Sequence, residues 1–67
     1  MTKKHFIAIA KRMADHRFNL SKISDKATRD ASLNVLDDTI RDLAITFQEV
    51  NPNFDYNRFA HACGLPV

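Results

Sequence analysis

The histidines, the lone cysteine and the carboxylates are the side chains of this sequence that could do chemistry, and their spacing argues against most of it. His5, His16, His61 and Cys63 are of metal-ligand type. His5 and His16 share one side of a helix but stand eleven residues apart, about 16 Å along the axis, whereas the ligands of one ion converge to about 2 Å from it. His61 and Cys63 are two residues apart and face different directions on a helix. The pattern predicts surface histidines, one buried thiol, and neither metal nor cofactor. Asp37, Asp38, Asp42 and Glu49 fall on the flanks and outer side of a helix, where solvated charge is the ordinary expectation. No glycine-rich loop exists to cradle an oxyanion or a phosphate. The chain is therefore read as no enzyme, with no small-molecule substrate.

The cations form a more coherent set. Residues 1–22 carry Lys3, Lys4, Lys11, Arg12, Arg17 and Lys22 against Asp15, a net of +5, whereas residues 23–50 carry three basic and six acidic side chains, a net of −3. Lys4, Lys11 and Arg12 share the polar side of the first helix and could follow a phosphate backbone, with Asn57, Arg58 and His61 reaching base edges from a short third helix. That is the nucleic-acid reading. The simpler account is a basic first helix held against an acidic second one inside the fold. Val35 and Ile45 have no place in an intramolecular core. They sit among the acids on the outer side of the second helix and are candidate partner-binding residues.

Three helices must position these groups. Leu33, Leu36, Ile40, Leu43, Phe47 and Val50 are spaced 3, 4, 3, 4, 3, which puts them on one helical stripe. Ser24 is the expected N-cap of that helix, with Asp25 in its first turn, and Asn51-Pro52 is the stop, giving residues 24–50. The stripe could instead be a seam between two chains, but Lys26 and Arg29 interrupt it upstream, so an intramolecular core is preferred. Helix 1, residues 3–18 with Thr2 as N-cap, has Phe6, Ile9, Ala10 and Met13 on one face and Ile7, Ala14 and Phe18 on a strip beside it. Folded back on helix 2, it brings Phe6 and Ile9 level with Leu33 and Leu36, leaving Leu43, Phe47 and Val50 for another element to cover. That element is residues 56–63. Asp55 is its N-cap, Phe54 and Phe59 form a hydrophobic staple, and Gly64 is placed to be the left-handed C′ residue before Leu65.

The fold class is thus all-α, a single domain of 67 residues in which a long central helix is packed by helix 1 and a short C-terminal helix. A chain this short buries only about 60% of its unfolded surface, so a partner or a second copy would help it. One cysteine excludes an intrachain disulfide scaffold and fits a reducing cytoplasm. The apolar run Phe6 to Ala10 is too short for a signal peptide, and no run is long enough to cross a membrane.

Two blocks carry a resemblance. The opening Met1-Thr2-Lys3-Lys4, with Phe6-Ile7 and Ile9-Ala10, and the closing Asn51-Pro52, Phe54-Asp55, Arg58-Phe59 and Ala62-Cys63-Gly64 resemble small proteins encoded in bacteriophages, prophages and mobile elements. Those proteins open on a Lys-rich Phe-Ile-x-Ile-Ala start and close on Asn-Pro-x-Phe-Asp-x-x-Arg-Phe-x-x-Ala-Cys-Gly. The resemblance covers the two ends, not the long middle helix, and it implies an accessory role without assigning an activity or a site residue. The expectation is a non-enzymatic accessory protein acting through a protein partner or a homodimer. The alternative is a small DNA- or RNA-binding regulator using Lys4, Lys11 and Arg12.

Overall fold

The computed structural model describes residues 2–66, so Met1 of the opening block and Val67 lie outside the described residues. Three helices follow one another, α1 Lys3–Leu20, α2 Lys26–Val50 and α3 Tyr56–Ala62, and all three pack against each other. No strand is present among the described residues.

Each helix starts where a side chain can satisfy its free amides. Thr2 occupies the N-cap of α1, and its own N–H donates to Nδ1 of His5 at 3.1 Å, so a histidine takes the place of the usual acid in a capping box. The cap of α2 is Asp25, not Ser24: its carboxylate accepts from the Thr28 amide at 2.9 Å and from the Thr28 hydroxyl at 2.6 Å. A carboxylate can take both bonds and also favours the positive end of the helix dipole, which a serine hydroxyl cannot match. Those two bonds hold the Asp25 carboxyl below its ordinary pKa, the hydroxyl of Thr28 contributing most.

α2 ends at Asn51, whose extended backbone is the conformation a following proline demands. Residues 51–54 then form a tight turn, with the Phe54 amide bonded to the Asn51 carbonyl at 2.9 Å and the Asn53 amide to the Asn51 side chain at 3.2 Å. α3 begins at once with Asp55 accepting from the Arg58 amide at 3.0 Å. It closes on a complete Schellman motif: Gly64 N–H bonds the His61 carbonyl at 2.9 Å, Leu65 N–H bonds the Ala60 carbonyl at 3.0 Å, and Gly64 has φ +93°. Leu65 is buried, the apolar contact that usually completes this motif.

α1 lies antiparallel to α2, but in a register different from the expected one. Arg17 meets Asp37 and Phe6 meets Phe47, ring centroids 4.9 Å apart. Phe6 is therefore level with Phe47 and not with Leu33. The cause is an overhang: Lys26 lies about three turns upstream of Asp37, whereas Leu20 is only about one turn past Arg17, so the first turns of α2 run beyond the end of α1. Phe54 from the turn and Phe59 from α3 complete a four-ring cluster, every contact in it tilted or edge-on at 4.8–5.6 Å. α3 and the turn before it thus cover Phe47, but of the other two residues expected under that cover Val50 is exposed and Leu43 only half-buried.

The buried line of α2 is Asp37, Ile40 and Ala44. Of the six stripe residues only Ile40 is fully buried; Leu33, Leu36, Leu43 and Phe47 are half-buried, and Val50 is exposed. Ile7 and Phe18 are also exposed, Phe18 lying under the Lys22 ammonium at 4.4 Å, so the second strip of α1 is not a packed face. Small residues form part of the core: Ala10, Ala44 and Ala60 are all buried. Cys63 is buried beside them.

Burial pushes the Cys63 thiol up to about 11. The unfolded thiol ionises near pH 8.5, so this group favours the folded chain below that pH and its contribution is lost as the pH rises through 11. Cys63 is expected to resist iodoacetamide in the folded chain at mildly alkaline pH and to react at once in urea. Equal labelling rates in the two conditions would show an open thiol.

Candidate functional site

Lys4, Lys11 and Arg12 are exposed on the side of α1 opposite Phe6, Ala10 and Met13. Lys11 and Arg12 stand seven and eight residues from Lys4, about 10–12 Å along the helix, a spacing long cations can bridge to successive phosphates. Asp38, Asp42 and Glu49 are exposed on the outer side of α2. The fold does not bring the two sets together. Among the described residues the one ion pair joining α1 to α2 is Arg17 with Asp37; Asp38 pairs only with Arg41 of its own helix, at 3.4 Å. Attraction between the two halves of the chain therefore accounts for a single pair, and the remaining charge faces outward.

Arg17 and Asp37 form a part-buried ion pair that ties α1 to α2. Nε donates to Oδ1 at 2.7 Å and Nη2 to Oδ2 at 3.0 Å, a two-pronged pairing, and Asp37 is 8% exposed. The bond to Asp37 raises the Arg17 pKa despite partial burial. Sequence reasoning placed Asp37 on the solvated flank of α2, and the structure moves it into the core. A signal existed: Asp37 is four residues after Leu33 and three before Ile40, and Arg17 is four after Met13 and seven after Ala10. Opposite charges sat on the apolar faces of two helices predicted to pack.

Val35 and Ile45 are both exposed, at 69% and 47%. They do not form one patch, since ten residues separate them, about 15 Å along the helix and roughly 80° around it. Ile45 is set among Asp38, Asp42 and Glu49, and Val35 stands one turn before Asp38 and in line with Asp42. Asn57, Arg58 and His61 are exposed on α3. A half-open cleft of about 410 Å³ separates the start of α1 from α3, with Phe6, Phe54 and Phe59 along its floor and Lys3, Asp55 and Arg58 at its edge. His16 and His61 are exposed while Cys63 is buried, and no three His, Cys, Asp or Glu side chains among the described residues group closely enough to hold a metal ion. No helix among the described residues is long and apolar enough to cross a membrane. Compared with known proteins, the chain matches no family model, no curated protein and no solved structure.

Proposed function

We propose that this chain is a non-enzymatic accessory protein that works by binding another protein, a second copy included, in the manner of the phage and mobile-element factors its terminal blocks resemble. Incomplete burial carries the reading. Among the isoleucine, leucine, valine and methionine side chains of the described residues, only Ile40 and Leu65 are fully buried. The accessible surface is 4858 Å², against ~4,300 Å² for a compact monomer of 7.7 kDa. Surface left open in this way is what a binding partner covers. Ile45, half exposed within an acidic surround, is a candidate anchor. The lone thiol suits a reducing cytoplasm, which is the proposed site of action.

A second reading is supported by Lys4, Lys11 and Arg12, which are exposed and have no ion-pair partner among the described residues. Binding to DNA or RNA through this face would weaken steeply as salt rises. One experiment separates the readings: capture on the tagged full chain from its host, with and without nuclease. Protein partners that survive nuclease and are lost with Ile45→Asp, at unchanged circular dichroism, support the first. Capture that vanishes with nuclease and with Lys4→Glu/Lys11→Glu/Arg12→Glu replaces it with the second.

A further inference from the structure

We propose that the face of the α1–α2 hairpin opposite α3 receives a second copy of this chain, giving a two-fold dimer with a four-helix core. The proposal rests on the protein-binding reading above and names a second copy as one partner, on a face that does not include Ile45, which points to the opposite side of α2 from Leu36. α3 covers the hairpin from one side only. On α2, Asp37 and Ala44 lie to one side of Ile40, and Asp37 holds Arg17, whose Cδ passes beside Gly64 at the end of α3. On α1, Lys3, Ile7 and Ala10 line the cleft shared with Phe59 and Ala62 of α3. The helical period then sends Ile9, Met13 and Leu20 of α1, with Leu36 and Leu43 of α2, toward the uncovered side. All five are only half-buried. Val35 and Val50 edge this face at 69% and 76% exposure.

The pattern along this side is that of a bundle seam. Leu36, Thr39, Leu43, Thr46 and Val50 repeat at 3-4 spacing on α2, and Ile9, Met13, His16 and Leu20 do so on α1. The shared length of the seam is that of α1, 18 residues or about 27 Å.

Charge selects a second copy and orients it. A two-fold axis across the helices would stack α1 on α1 and α2 on α2, like charge on like. An axis parallel to the helices stacks α1 of each copy on α2 of the other, basic on acidic. Symmetry then fixes the register, because residues level within one copy are level across the interface. Arg17 and Asp37 set that level. Arg12 and Asp42 each lie five residues further along in the same direction, so Arg12 of one copy meets Asp42 of the second, and His5 falls level with Glu49.

The test is sedimentation equilibrium of the full chain at low salt from micromolar to millimolar concentration, with nucleic acid removed. The expected result is twice the 7.7 kDa monomer mass. Val35→Asp/Val50→Asp, which alters exposed side chains alone, should give a folded monomer. Arg12→Asp and Asp42→Arg should each weaken the dimer roughly tenfold or more, by setting like charges opposite at two symmetric sites, and the double swap should restore it. A wild type that stays monomeric, a Val35→Asp/Val50→Asp chain that still dimerises, or a double swap that fails to restore association overturns the proposal. A monomeric wild type leaves the broader protein-binding reading to stand or fall on the capture experiment.

Discussion

Asp37→Ala is expected to cost about 3–5 kcal/mol, toward the lower figure because the Arg17 side chain keeps 26% of its surface in water. The loss arises because it leaves a part-buried guanidinium with no counter-charge, while the two bonds of 2.7 and 3.0 Å that oriented it are gone. A domain this small has about that much stability in total. Urea unfolding followed by circular dichroism should therefore find the variant largely unfolded before denaturant is added. The reciprocal change, Arg17→Met with Asp37→Leu, should be close to neutral or mildly stabilising, since well-packed apolar side chains avoid the desolvation that the ion pair must offset. If Asp37→Ala melts with the wild type, the pair contributes nothing and the α1–α2 register is held by apolar packing alone.

That pair also marks where sequence reasoning stops. The three helices were legible because independent local signals coincide: at α3 the Asp55 cap, the Phe54–Phe59 staple and Gly64 with Leu65 all point to the same eight residues, and the structure agrees to within one. The core line of α2 was legible in direction but not in detail. Periodicity weighs Leu43 and Val50 as core and Asp37 as a solvated flank, and does not single out Ala44. Where three helices crowd together, however, a small side chain permits the closest approach and a paired charge can be accommodated, so Ala44 and Asp37 are buried while Val50 is not. Register was beyond reach, because the connector's path decides how far α2 overhangs α1. The exposure of Lys4, Lys11, Arg12 and Ile45 followed from their position opposite the apolar stripes, and that of Val35 from its place off the stripe beside the acids. The open side of the hairpin could not be read in advance, since it depends on which side α3 takes.

Phe59→Ala is the substitution expected to damage the fold most. Phe59 is 5% exposed and touches Phe47 at 5.6 Å and Phe54 at 5.4 Å between ring centroids, so it joins α3 to α2 and to the turn before α3. Truncating a buried phenylalanine costs about 3–5 kcal/mol, made up of lost transfer energy and the cavity left behind. Leu43→Ala should cost less than this, because Leu43 is only half-buried and already borders solvent. The order matters, as a stripe buried along its whole length would make Leu43 the worse loss. Deleting the chain from Phe54 onward removes two of the four rings and strips Phe6 and Phe47 of their cover. The truncated hairpin would then be open on both faces. Sedimentation should find it forming large, polydisperse species, quite unlike the discrete dimer proposed for the full chain. A truncated chain that stays monomeric and helical would mean that α1 and α2 need no third helix, and the aromatic cluster would then serve only to hold α3 in place.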